Sequence, residues 1–289
     1  MDSKITARFK MLLLQLCKHF QEWASFPIAT FAPVIEHQHP GAFLVQRPEE
    51  TYRQNQAARV PLITGYTRYE MSWLFAEFLR NKTAVSELNS DWDRLGEIFL
   101  TIRNATGSNS TIATRIRDFY LGEDTEISFR NRDHIVMMLG GRYFLPCALD
   151  AIVDHSRYTG EPVYAYEFSY EGKHSVVEGA GQNASDWGVA HIDDLIYLLN
   201  STEYYATINA DDAEFSMSNI LTGIWYNFAQ YGKPYISQGG QLTDLWQPIT
   251  RNTNSLSSLQ FLDLNLTPSM IDNPYTERYN FWKSLQLTD

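Results

Sequence analysis

At 289 residues, with 44% hydrophobic, 14% aromatic and 20% charged side chains, the chain has enough apolar surface for one large packed domain. It is too charged for a multi-span membrane protein. Acidic residues outnumber basic ones by 34 to 23, a formal net charge of −11, which argues against nucleic acid or anionic membrane as a partner, since both need a basic face to release counterions.

Lys4, Arg8 and Lys10 precede an apolar run at 11–17, the outline of a charged n-region and an h-region. The run is short and enters Lys18-His19-Phe20 without a small-residue cleavage site, so it reads as an amphipathic helix ending near Trp23 and not as a signal peptide. Residues 60–65 (VPLITG) form a short strand with a glycine turn, followed by a helix over 71–80. Apolar residues recur at helical spacing over 95–103 and 112–121, and again over 129–155, with an interruption expected around Gly140-Gly141 and Pro146. The β-branched and aromatic stretch 162–170 is a strand, 171–188 a polar loop and 191–199 a short helix. A long helix over 215–231 stops at Gly232, with Pro234 beyond it; a strand over 256–264 and a helix over 275–287 close the chain. Strands separated by helical stretches imply an α/β fold with a partial, mostly parallel sheet and flanking helices, active at the carboxyl ends of its strands. No apolar run approaches the about 20 residues of a membrane span.

Two cysteines, Cys17 and Cys147, are too few for a thiolate metal centre or a disulfide framework; they read as two buried thiols, with a single bridge as the alternative. Asn-x-Ser/Thr triplets begin at Asn81, Asn104, Asn109, Asn183, Asn200 and Asn265, against roughly two expected from the residue frequencies. That excess points to a secreted, glycosylated parent protein.

Two segments carry candidate chemistry. Gly65-Tyr-Thr-Arg-Tyr-Glu70 sets a carboxylate just past a strand's carboxyl end, and Gly188-Val-Ala-His191 sets an imidazole at a loop-to-helix junction. Taken singly, such a Glu is a solvated helix start and such a His a cap or surface residue. His37-Gln-His39 has no evident third ligand and reads as a loop pair; no metal and no cofactor are expected. Asp193 and Asp194 read as acids decorating the first turn of a helix, and Asp211-Asp212-Ala-Glu214 as N-terminal capping. Gly179-Ala-Gly181-Gln-Asn-Ala184 has the spacing of a dinucleotide loop without the strand and helix it needs. Tyr204-Tyr205 fit either packing or the wall of a gorge.

Taken together these segments, with Phe31-Ala-Pro-Val-Ile-Glu36, Pro162-Val-Tyr-Ala-Tyr-Glu-Phe168, Trp225-Tyr-Asn-Phe-Ala229, Leu245-Trp-Gln-Pro248 and Phe281-Trp282, resemble the C-terminal half of the type-B carboxylesterase/cholinesterase family of α/β-hydrolases, its insect members above all. The resemblance covers nearly the whole chain. It implies that Glu70 supplies the acid and His191 the base of a Ser-Glu-His triad acting on a small carboxylic ester. Met71 departs from the glycine usual after the acid, which puts the carboxylate geometry in question. In the α/β-hydrolase order Ser…Asp/Glu…His the serine lies on Gly-x-Ser-x-Gly. Here no serine has glycine at both −2 and +2, and the glycine-rich oxyanion loop is missing too. Residues 1–289 are therefore expected to be a partial domain lacking the nucleophile-bearing half and inactive by itself. The alternative implied by the same resemblance is a non-catalytic adhesion or extracellular-matrix module.

Overall fold

Two β-branched and aromatic runs, LITGYT and VYAYEF, form β1 (Leu62–Thr67) and β2 (Val163–Phe168) in the computed structural model, which describes residues 23–24, 26, 33–102, 111–199, 207–250 and 256–287. They pair in parallel, Leu62 opposite Val163 and Thr67 opposite Phe168. The approach is close at Gly65, where a Cβ would lie 2.3 Å from the Tyr166 carbonyl oxygen. All six residues of β2 are buried, as befits a strand packed on both faces.

The chain divides into two compact units, one of Met1–Arg47, Phe78–Phe129 and Leu285–Asp289, the other of Pro48–Glu77 and Arg130–Ser284. The second holds the sheet. It begins with α1 (Pro48–Arg53) and β1, and most of α2 (Ser72–Phe78) belongs to it. The first contains α3 (Lys82–Ser90), α4 (Trp92–Phe99) and α5 (Thr111–Leu121). Within that first unit Phe26 packs against Phe78 and Phe99 at 6.0 and 5.1 Å between ring centres, and the Arg117 guanidinium lies 4.8 Å above the Trp92 ring.

In the second unit the long apolar stretch resolves into α6 (Arg132–Tyr143) and α7 (Leu145–Asp154), bent by 46° relative to each other. The bend falls at Phe144, between Gly140-Gly141, which are buried inside α6, and Pro146. Pro146 sits in the first turn of α7, where no amide proton is required, so it starts the second helix without breaking the first. After β2 come α8 (Asp193–Leu198) and α9 (Phe215–Tyr231), the latter closed by Gly232 as its sequence requires. A hairpin, β3 (Ile236–Gln238) and β4 (Gln241–Thr243), turns on Gly239-Gly240 and was not legible beforehand. The last strand is shorter than expected: 256–258 is a 3₁₀ turn, and β5 (Gln260–Leu264) pairs in parallel with β2 and antiparallel with β6 (Ser269–Asp272). The helix α10 (Thr276–Ser284) ends the described fold.

The sheet order is β1-β2-β5-β6. Side-chain alternation along β2 feeds two cores. Tyr164, Tyr166 and Phe168 meet Met217, Leu221 and Ile224 of α9 with Trp246; Val163 and Ala165 meet Leu145, Leu149 and Ile152 of α7 with Phe261 and Tyr275. Trp246 is buried and its indole donates to the Ala165 carbonyl (3.1 Å). Among the described residues no single helix is long and apolar enough to cross a membrane.

Candidate active site

Alternate amides of β1 face β2, and Arg68 continues the pattern by donating to the Phe168 carbonyl (3.1 Å). The Thr67 amide is out of phase with that ladder, and Glu70 Oε1 accepts its hydrogen bond at 2.8 Å. The turn after β1 thus folds the Glu70 carboxylate back onto the strand end. Glu70 is 9% exposed, and the side chain of Met71 is buried. A residue larger than glycine is therefore accommodated at 71 without displacing the acid.

The imidazole is delivered by the loop that follows β2. Gly188 takes a left-handed φ of +63°, and a Cβ there would lie 2.4 Å from the Tyr69 ring, so the loop needs glycine on both counts. The Tyr69 amide donates to Val189 O (2.9 Å) and the His191 amide to Glu70 O (3.3 Å), lacing the two segments together through their backbones. Asp193, 3% exposed, accepts from the Ala190 amide (2.8 Å), the Val176 amide (2.9 Å) and the Ser175 hydroxyl (2.7 Å). It anchors the loop on either side of the histidine.

The result is a contact of 2.6 Å between His191 Nδ1 and Glu70 Oε2. A carboxylate only accepts, so Nδ1 carries the proton and the neutral ring keeps its basic lone pair on Nε2. The Phe144 ring stands 4.9 Å from the imidazole, tilted by 42°. The His191 pKa is raised above its ordinary value, chiefly by the hydrogen bond to Glu70, with burial opposing and the charges of Glu70, Asp194 and Asp193 assisting. Burial pushes the Asp193 carboxyl up to about 6 against the pull of its three donors. Asp194 is also raised by burial, partly offset by the Tyr166 hydroxyl that donates to it at 2.9 Å.

Asp193 and Asp194 do lie in the first turn of α8, yet both are held by specific partners and are not solvated decoration. Glu214 occupies the N-cap of α9 but makes no side-chain cap bond; its carboxylate takes the Lys173 amide instead. His39 Nδ1 donates to the Pro40 carbonyl (2.9 Å), and its Nε2 lies 3.5 Å from Glu36. No group of three or more His, Cys, Asp or Glu that could hold a metal ion occurs among the described residues. Residues 179–184 run from the end of one 3₁₀ turn (Val176–Ala180) to the start of another (Ala184–Asp186), with Gly181 left-handed between them. Cys147, expected to be buried, is exposed; Cys17, Tyr204-Tyr205, Asn104, Asn109 and Asn200 lie outside the described residues. Of the other sequons, Asn81 is exposed at the N-cap of α3 and Asn183 is exposed before a 3₁₀ turn. Asn265 is half-buried: its amide donates to Asp263 (3.0 Å) while its oxygen accepts from the Thr267 amide (2.7 Å).

The residues that sequence reasoning missed are Phe144, Ser175 and Tyr66, the last discussed below. Phe144 and Ser175 lie in no recognisable motif, and only the fold brings them near 191; Tyr66 sits inside the Gly65–Glu70 segment, where the spacing marks the acid and not the tyrosine.

A mostly parallel sheet flanked by helices, with a carboxylate and an imidazole meeting where two neighbouring strands end, has the architecture of an α/β-hydrolase. The chain belongs to the carboxylesterase family, whose model matches residues 6–282. It is 26% identical over 288 residues to venom carboxylesterase-6 of Apis mellifera, covering 99% of this chain and 50% of that protein. It is 28% identical over 233 residues to a juvenile hormone esterase of Tribolium castaneum, covering 77% and 40%. The crystal structure of juvenile hormone esterase from Manduca sexta, with OTFP covalently attached, matches with a TM-score of 0.68 at 22% identity, over 91% of this chain and 48% of that one. The chain spans about half the length of the curated relatives it matches.

Proposed function

We propose that this chain is the acid- and base-bearing part of a serine carboxylic ester hydrolase, with Glu70 orienting His191 and His191 acting as general base. The observation that carries the reading is the 2.6 Å contact between His191 Nδ1 and Glu70 Oε2. A serine hydroxyl attacks the ester carbonyl and its proton passes to His191 Nε2. The imidazolium then protonates the departing alcohol, and water repeats the cycle on the acyl-serine. The buried Glu70 fixes the tautomer and stabilises the imidazolium. The serine comes from a Gly-x-Ser-x-Gly segment that these 289 residues do not contain. Its half of the sheet fits the free side of β1, which has β2 as its hydrogen-bonded strand neighbour and no other among the described residues. Without that serine and an oxyanion hole, this chain has no turnover of its own; one missing oxyanion donor already costs about 10²–10³ in rate. The substrate is a small carboxylic ester. An extracellular setting is supported by the six sequons and by a venom carboxylesterase among the relatives.

The test joins this chain to its nucleophile-bearing segment and assays a short-chain p-nitrophenyl ester. The joined protein is expected to turn over, the 289-residue chain to stay at the buffer rate, and His191→Ala in the joined protein to lose about 10³-fold or more of kcat. An inert joined protein, or full activity in His191→Ala, would refute the assignment. Inertness would restore the adhesion-module alternative.

A further inference from the structure

Beside Glu70 lies a cavity of about 20 Å³, bordered by Tyr66, Glu70, Gly140, Tyr275 and Arg278. One water needs roughly 10–15 Å³ on this scale, together with two to four polar partners. Tyr66 is 6% exposed, and its hydroxyl is buried with no hydrogen-bond partner among the described residues. A buried hydroxyl left in that state is costly unless something in the cavity bonds it. The charges of Glu167, Arg278 and Glu70 all act on it. Each Glu70 carboxylate oxygen has one partner so far, the Thr67 amide or the imidazole, and each has a lone pair to spare. Gly140 keeps the space open: a Cβ there would stand 3.8 Å from the Arg278 guanidinium and 4.0 Å from Glu70 Cβ, within contact of both and clashing with neither.

We propose that this cavity holds one ordered water bridging the Tyr66 hydroxyl to the Glu70 carboxylate, which makes Tyr66 a positioning residue for the acid. The inference rests on the reading of Glu70 and His191 as acid and base. Tyr66 donates to the water and the water donates to Glu70. With the Thr67 amide on Oε1 as a second fixed donor, the carboxylate is held against rotation and Oε2 stays aimed at the ring.

The test is an NMR titration of the His191 imidazole in the full 289-residue chain carrying ¹³C-labelled histidine, the His191 signal being the one lost in His191→Asn. Glu70→Gln is expected to lower the midpoint by about one unit or more. Tyr66→Phe keeps the ring in its 4.7 Å edge contact with Tyr275 and removes only the hydroxyl. Gly140→Ala keeps the hydroxyl and fills the cavity, at a helix position that favours alanine. Both are expected to lower the midpoint by about half a unit, a part of the Glu70→Gln shift, as Oε2 loses its fixed aim and pulls less on the imidazolium. If Glu70→Gln moves the midpoint while Tyr66→Phe and Gly140→Ala leave it in place, the bridging water is wrong and the acid–base contact stands. If Glu70→Gln itself changes nothing, the acid–base reading fails and this inference falls with it.

Discussion

Glu70 uses one carboxylate for two purposes: Oε1 satisfies the amide left over at the end of β1, and Oε2 holds the imidazole. The first fixes the direction of the second. Because the His191 pKa is raised, its protonated form contributes stability that is fully present below its ordinary value and is lost as pH rises through the folded value. The general base proposed for His191 must be neutral, so in the joined protein that proposal has the rate climbing with pH through the raised value. Glu70→Gln removes the largest raising influence and leaves burial in place. The rising limb of the pH–rate profile is expected to move to lower pH, with kcat reduced about 10³–10⁴-fold because the tautomer is no longer enforced. A profile whose limb stays put would show that another group titrates. At this scale the sequence was legible where a motif is linear. Gly65-x-x-x-x-Glu70 and Gly188-x-x-His191 could be read, because each sets a turn and a side chain within a few residues. Phe144 could not: it reaches the imidazole from the junction of α6 and α7 and has no spacing to betray it, while Tyr66, inside the first motif, is marked by nothing until the fold buries its hydroxyl.

At the scale of elements, the loop after β2 is held in shape by Asp193. Three donors converge on its carboxylate, from Ser175, Val176 and Ala190. Asp193→Ala leaves all three without their acceptor, those of Ser175 and Ala190 buried, and is expected to cost about 2–4 kcal/mol, read by urea unfolding near neutral pH. Its pKa, raised by burial from 3.8 to about 6, means that the folded state binds the proton more tightly than the unfolded one. The contribution of this group to stability therefore falls as pH rises across that interval. Asp193→Asn should flatten that part of the stability–pH curve, and an unchanged slope would assign it to another carboxyl. Hydrophobic periodicity located α5, α9 and β2 within a residue or two. It placed the break in the long helical stretch around Gly140-Gly141 and Pro146, and the break falls between them at Phe144, with the buried glycine pair serving as a packing surface within α6. It also missed the β3–β4 hairpin and β6, which are short, partly exposed and lack an apolar alternation.

For the whole molecule, the four-stranded sheet with its first three strands parallel is what helices between strands imply, and the family's landmarks gave the fold a name from sequence. The sequon excess is sorted by the structure. Expressed through a secretory pathway, the protein is expected to carry glycans at Asn81 and Asn183, which are exposed. Asn265 is expected to remain bare, since it is half-buried and its amide nitrogen is held by Asp263 at 3.0 Å. Glycopeptide mass spectrometry reads each site separately, and an occupied Asn265 would mean that modification precedes closure of that turn.

Every bond that aims the carboxylate at the ring, from the Thr67 amide to the three donors on Asp193, lies within a single compact unit. Under the proposed esterase reading, none of an ester's binding energy is consumed in bringing these two groups into line. It stays available for gripping the carbonyl and shutting out solvent, the two tasks that reading leaves to the nucleophile-bearing half.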